Sequence, residues 1–283
     1  MLEDHLNFNQ SNVCLNMDFP CKLIVQKNFT DLIGRVVDVL EDRLRRRLSQ
    51  SAPKPLGMAT GRTMEPIYKS LIARLKSWPD IELEKLVKTW CSFNLDEYVG
   101  LSDSDDASYI AYMIRHIGRP LNLAPNQMRV PNGRSEDPEK EASCYLEELR
   151  NWGGVSIQLL GLGVNGHLGF NEPPCGANVS CRVVSLSSLT RQQNAFAFQN
   201  NPDLVPAKAI TLGLEEILLA DEIHLIVSGF SKANILSSLL TDSASEKLPA
   251  SWLRKHPNMF LWADYEALSE LPPAFLGSNS FVS

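Results

Sequence analysis

The sequence predicts an α/β protein, a doubly wound and mainly parallel open sheet with helices on both faces. Three observations predict it. Short continuous apolar runs such as 155–160 and 223–228 are bounded by glycine or polar residues, as strands covered on both faces are. Segments with apolar residues at helical spacing lie between the runs. Polar and glycine-rich turns follow the runs, at the carboxyl ends where such sheets bind ligands. The alternation continues without an internal repeat or low-complexity linker, so one domain is expected.

The elements follow in order. Residues 1–20 are polar, carry four asparagines and show no periodicity, so they read as a flexible tail ahead of a domain over 21–283. A strand is expected at 22–26. Thr30 or Asp31 is placed to cap a helix running to about Leu48, with Leu32, Val36, Val39, Leu40 and Leu44 on one face. Pro53 and Pro55 break it. A strand at 56–59 enters the turn Thr60-Gly61-Arg62-Thr63, and a helix begins near Met64. A strand is expected at 89–94, helices at 107–117 and 138–152, and a buried strand at 155–160. The run 223–228 is followed by Gly229 and a helix from about Ser231, and a last strand is expected at 258–262. The result is a Rossmann-like sheet.

Composition narrows the function. With 44% apolar residues among 283, the chain can bury a large core. A balance of 27 basic and 33 acidic residues argues against a nucleic-acid surface. Arg43, Arg45, Arg46 and Arg47 are interleaved with Leu40, Leu44 and Leu48, the pattern of the solvated face of an amphipathic helix. The six cysteines form no CxxC pair, and no histidine has zinc-finger spacing, so neither a metal cage nor a disulfide framework is expected. No run approaches the ~20 apolar residues of a membrane span, and the N-terminus lacks a signal-peptide core. The expected setting is cytoplasmic, without metal or cofactor.

Four segments concentrate the chemistry, at 60–63, 94–98, 161–172 and 229–232. The sequence Gly161-Leu162-Gly163-Val164-Asn165-Gly166-His167-Leu168-Gly169-Phe170-Asn171-Glu172-Pro173 is glycine-rich, which allows tight turns and close approach to a ligand. It is not a dinucleotide fingerprint, because the third glycine is mis-spaced and no helix opens after Gly163. A lone histidine is more often structural, but His167 stands among glycines that offer it no apolar face. Asp96 and Glu97 are adjacent carboxylates at a strand end. Side chains alternate there, so one can enter a site while the other ties down a loop. Taken alone, Asp96 also fits a turn-stabilising role.

The stretches Phe93-Asn94-Leu95-Asp96-Glu97-Tyr98-Val99-Gly100 and Gly166-His167-Leu168-Gly169-Phe170-Asn171-Glu172-Pro173 resemble the two signature motifs of glucosamine-6-phosphate deaminases/isomerases. The turn 60–63 resembles that family's phosphate loop, and Gly229-Phe230-Ser231-Lys232-Ala233 resembles its late Gly-x-x-Lys-Ala element. The resemblance spans about 22–263. Phosphogluconolactonases share the Gly-His loop but lack the Phe-Asn-Glu-Pro ending and the Asp-Glu-Tyr motif. The resemblance implies an enzyme that converts a hexosamine 6-phosphate to the ketose 6-phosphate and ammonia. His167 would move a proton at the ring oxygen during opening. Asp96 would carry a proton from C2 to C1, and Glu172 would orient His167. Thr60, Gly61, Arg62, Thr63, Gly161 and Lys232 would hold the substrate and its phosphate. The resemblance also implies a small lid over about 188–206 and allows a homo-oligomer.

Several residues depart from the pattern. Asn165 stands where glucosamine-type enzymes carry Asp, and with Ile210-Thr211-Leu212-Gly213-Leu214 it is similar to galactosamine-6-phosphate isomerases, which favours the galacto epimer. The lid arginine that clamps phosphate falls at Phe196. Arg62 is expected to take over the clamp from the opposite wall, with Arg191 as the alternative. Arg182 matches an allosteric position of the hexameric enzymes, but Val184 replaces its lysine partner. Cys175, near the site mouth, reads as a bystander. A lactonase or simple isomerase on the same scaffold, and a non-catalytic sugar-phosphate sensor, remain as alternative readings.

Overall fold

The computed structural model describes residues 19–272. The elements along the chain are β1 (Lys22–Gln26), α1 (Phe29–Arg47), β2 (Leu56–Met58), α2 (Met64–Leu75), α3 (Asp80–Lys88), β3 (Ser92–Asn94), β4 (Asp96–Tyr98), α4 (Tyr109–Met113), α5 (Arg119–Leu121), β5 (Met128–Arg129) and α6 (Pro138–Asn151). They continue as β6 (Ile157–Gly161), β7 (Arg182–Ser185), α7 (Ser188–Asn194), β8 (Lys208–Thr211), α8 (Leu214–Leu218), β9 (Glu222–Val227), α9 (Ala233–Thr241) and β10 (Met259–Asp264). Of the expected tail, 1–18 lie outside the described residues. Phe19, which the expected tail included, is buried and carries the Arg254 guanidinium 5.3 Å above its ring.

The main sheet has seven strands in the order β1-β10-β9-β6-β2-β3-β5, and every pairing in it is parallel. All six residues of β9 and of β10 are buried, as strands covered on both faces must be. The strand order reverses between β2 and β6, and such a reversal opens a crevice at the carboxyl ends. The expected α/β architecture is present, with additions. A second sheet, β4-β8-β7, is antiparallel. Its strands are three or four residues long, too short for periodicity to reveal. Around it Tyr98, Phe170, Leu186, Phe198 and Val205 form a small apolar cluster of their own.

Local signals moved some boundaries. The cap of α1 is Asn28, whose side chain accepts from the Asp31 amide at 2.9 Å, so Thr30 and Asp31 already lie inside the first turn. The helix expected over 107–117 begins at Tyr109, behind the Ser108 cap, and widens into a π-helical stretch at Ile114–Gly118. The arginines of α1 face acids, including Arg43 with Glu222, Arg45 with Glu82 and Arg46 with Asp42. Arg47 is buried and reaches the Lys54 carbonyl. Among the described residues, no helix is long and apolar enough to cross a membrane.

The sheet also holds a buried polar chain. Trp262 Nε1 donates to His224 Nδ1 at 3.0 Å, and His224 Nε2 lies 2.6 Å from Glu222 Oε1, which also accepts from Arg43 Nε at 3.1 Å. Because Nδ1 accepts, Nε2 carries the proton and donates. Burial keeps the imidazole neutral. Burial also opposes ionisation of Glu222, but the hydrogen bonds from His224 and Arg43 and the Arg43 charge hold its pKa below the ordinary carboxylate range. His224→Leu would leave the indole N–H without its acceptor and remove one donor from the carboxylate. Unfolding in urea should show a loss of roughly 2–4 kcal/mol, from the cost of unpaired buried groups. A loss under about 1 kcal/mol would mean that the chain adds nothing beyond packing.

Candidate active site

The four neighbouring strands β3, β2, β6 and β9 each deliver one chemical segment from the carboxyl end. The turn 60–63 leaves β2 and enters α2. Gly61 has φ +104°, a left-handed conformation that other residues rarely adopt. The amides of Arg62 and Thr63 donate to nothing among the described residues. Unsatisfied amides at a helix start form an anion cradle. The turn is braced, because Tyr112 Oη donates to the Gly61 carbonyl at 3.0 Å.

Lys232 follows β9 on a 3₁₀ turn (Phe230–Lys232). The Gly229 amide donates to Asp264 at 3.0 Å and the Ser228 hydroxyl donates to the same carboxylate, which fixes the turn. Burial, and then the charge of Arg62, lower the Lys232 pKa. Arg62 and Lys232 are therefore close enough to repel, and neither has an acidic partner among the described residues. Two unpaired cations beside free amides suit a phosphate.

The loop after β6 is shaped around His167. Gly166 N–H donates to the Gly163 carbonyl at 3.0 Å, and Gly163 N–H donates to the His167 carbonyl at 3.0 Å. The imidazole lies directly over Gly163, where a Cβ would fall 2.3 Å from Nδ1, so any other residue would displace the ring. His167 Nδ1 is 2.6 Å from Asn165 Oδ1. With that oxygen accepting, Nδ1 holds the proton and Nε2 presents its lone pair. Burial pushes the His167 pKa down to about 4. The Glu172 charge opposes the shift and the Lys232 charge reinforces it. Gly161 ends β6, and a Cβ there would meet only open space.

Asp96 and Glu97 divide their work as alternation requires. Glu97 accepts from the amides of Tyr98, Tyr109 and Ile110 at 2.8, 3.0 and 2.9 Å, which ties β4 to the start of α4. Asp96 is only 5% exposed, and its carboxylate accepts no hydrogen bond among the described residues. Its Oδ2 lies 3.0 Å from where a Cβ on Gly169 would stand, beside Thr211 Oγ1. The carboxylate thus sits against the loop that carries His167. Burial, and then the charge of Glu97, raise its pKa well above the ordinary range.

Two expectations need correction. Glu172 does not hydrogen-bond His167. It accepts from the Ser187 amide at 2.9 Å, the Ser187 hydroxyl at 2.6 Å and the Thr190 hydroxyl, so it holds the start of α7 while Asn165 orients the ring. Arg191 donates to the Val205 carbonyl at 3.1 Å and the Asp203 carbonyl at 3.3 Å, so it is occupied within its own segment. Arg182 donates to Asn171 Oδ1 at 2.9 Å and supports the loop from within. The Cys175 thiol is pushed up by burial, against the influence of Arg182, which suits a bystander. Among the described residues, no group of three or more His, Cys, Asp or Glu side chains could hold a metal. Sequence reasoning missed Tyr109, Thr211, Ser187 and Thr190. For Ser187 a signal existed, since a serine three residues before Thr190 reads as a helix cap.

Comparison with known proteins meets this geometry. The model of the family described as glucosamine-6-phosphate isomerases/6-phosphogluconolactonase matches residues 27–262. The glucosamine-6-phosphate deaminase of Shouchella clausii is 39% identical over 248 residues, covering 87% of this chain and 96% of that protein. Glucosamine-6-phosphate deaminase 2 of Bacillus subtilis is 34% identical over 256 residues, covering 89% and 98%. The solved structure of a monomeric glucosamine-6-phosphate deaminase superposes with a TM-score of 0.80 at 35% identity, covering 88% of this chain and 99% of that one. The 6-phosphogluconolactonase of Trypanosoma cruzi, at 18% identity and a TM-score of 0.70 over 90% and 98% of the two chains, shares the fold. The chain belongs to the glucosamine-6-phosphate isomerase/6-phosphogluconolactonase family.

Proposed function

We propose that the protein is a hexosamine-6-phosphate deaminase/isomerase that releases ammonia and a ketose 6-phosphate. The observation that carries this reading is a buried carboxylate without hydrogen bonds, Asp96, against the loop that presents a neutral imidazole, His167. The cationic pair Arg62 and Lys232 stands at the ends of β2 and β9, the two strands that flank β6. The turn 60–63 and these two cations hold the phosphate, and Gly161 leaves room for the sugar. His167 Nε2 takes the proton of the C1 hydroxyl and returns it to the ring oxygen as the C1–O5 bond breaks. Asp96 removes the C2 proton while O1 takes one from the C2 ammonium, leaving an enolamine, and Asp96 then delivers its proton to C1. The resulting C2 imine takes up water and loses ammonia.

The electrostatics support these roles. A poorly solvated carboxylate is a stronger base than one in water. The substrate's own C2 ammonium would favour its ionised form at the moment it is needed. Glucosamine 6-phosphate is the preferred substrate, because the relatives named above carry that activity in their names. The galacto epimer is the second reading, favoured by Asn165 and by the 210–214 pattern. The segment 188–206 acts as the lid. The described cysteines are all free, which supports a cytoplasmic setting.

An ammonia-coupled assay on paired glucosamine and galactosamine 6-phosphates tests the reading. Turnover of either establishes the reaction, and the ratio of kcat/KM decides the epimer. Sugar-phosphate binding without ammonia release would replace it with a sensor. Asp96→Asn should lower kcat by roughly 10²–10⁴, the usual worth of a positioned base, while substrate still binds. Unchanged kcat would remove Asp96 from the chemistry.

Asn165→Asp tests how His167 is held. A carboxylate beside Nδ1 favours the imidazolium, so the pKa should rise from about 4 by at least ~1 unit. The histidine ring shifts in an NMR titration report it. An unchanged value would show that Asn165 does not face the ring in solution.

A further inference from the structure

We propose that Phe196 is a positioning residue for the phosphate site, its ring being the seat on which the Arg62 guanidinium rests. The inference rests on the reading of 60–63 as the phosphate cradle. Arg62 Cζ lies 4.9 Å from the centroid of the Phe196 ring. The two residues come from opposite walls, Arg62 from the turn after β2 and Phe196 from the 3₁₀ turn Ala195–Ala197 that follows α7. Phe196 is 47% exposed, whereas Ala195 and Phe198 on either side are buried in the small apolar cluster. Its ring therefore does not serve that core; it projects across the mouth of the site to the arginine.

The contact answers a physical need. Arg62 is exposed, and no acid among the described residues fixes its side chain. Its neighbour Lys232 repels it. A free arginine would have to surrender rotamer entropy on binding. An aromatic face holds the guanidinium by cation–π attraction while leaving the edge N–H groups free to donate. Those donors can then meet phosphate oxygens beside Lys232 and the amides of Arg62 and Thr63. A lysine or arginine at 196 would instead put a third cation beside two that are already unpaired. The same contact joins the 188–206 segment to the phosphate turn, so ordering one favours ordering the other.

The test compares Phe196→Ala, Phe196→Leu and Phe196→Tyr with wild type, and Arg62→Ala with the double variant Arg62→Ala/Phe196→Ala. Readouts are KM and kcat for hexosamine 6-phosphate, Kd for inorganic phosphate by calorimetry, and the thermal unfolding midpoint. The Ala and Leu variants should raise KM and phosphate Kd about three- to tenfold, the worth of a partly desolvated cation–π contact, with kcat within about twofold. Tyr should retain wild-type values because it keeps the π face. The double variant should bind no worse than Arg62→Ala, since Phe196 acts through Arg62. Unchanged KM and phosphate Kd in Phe196→Ala, a Leu variant equal to wild type, or additive effects in the double variant would overturn the proposal. A wild type that binds phosphate but releases no ammonia would defeat the reaction assigned above and leave the phosphate comparison intact as the test. A wild type that binds no phosphate would defeat both.

Discussion

Hydrogen bonding between β2 and its neighbours β3 and β6, and between β6 and β9, is the constraint from which the site follows. Parallel pairing forces these strands to end at the same edge. Each ending then becomes a turn whose composition is free to carry chemistry. Because strand order reverses between β2 and β6, the turns there diverge and leave a crevice. Residues 170 apart in sequence, Arg62 and Lys232, face each other across it although no local interaction links them. A slip of one residue in any of these pairings would turn the exit side chains to the other face and disperse the site.

Charge is sorted within that crevice. Cations and free amides occupy the β2 and β9 exits, a buried acid lies beyond β3, and a neutral imidazole stands on the loop after β6. The histidine is neutral for two reasons that agree. Burial disfavours the imidazolium, and its partner Asn165 can accept a hydrogen bond without adding negative charge. Asp96 is a different case, since both burial and its neighbour Glu97 raise its pKa. Burial also raises the pKa of Glu97, to about 7, and the three backbone amides that donate to it oppose the rise.

What could be read in the sequence was whatever is encoded locally. The apolar runs marked β6 and β9 because a strand buried on both faces needs no partner to be recognised. The segments at 60–63, 161–172 and 229–232 stood out because glycine and polar residues interrupt such runs. The β4-β8-β7 sheet was not legible. Leu95 alone separates β3 from β4, so the change of sheet leaves no trace in periodicity. The partner of Glu172 was misread for a similar reason. Its carboxylate lies five residues from His167 in sequence, yet Ser187 and Thr190 reach it first through the fold.

That exchange of partners gives Glu172 a part in the site that orienting a histidine would not. The carboxylate accepts three hydrogen bonds at the start of α7 and so holds the entry to 188–206 against the Gly-His loop. At the other end of α7, Asn194 and Phe198 pack on Tyr98 of β4, the strand that carries Asp96. Between these anchors lies Phe196, over Arg62. The segment thus touches the acid's strand, the histidine's loop and the phosphate turn at three separate points. Its geometry is set by tertiary contacts more than by its own short helix, since seven residues are too few to be stable alone. A substitution at any anchor should therefore act on the arrangement of all three walls, even where it touches no reacting atom.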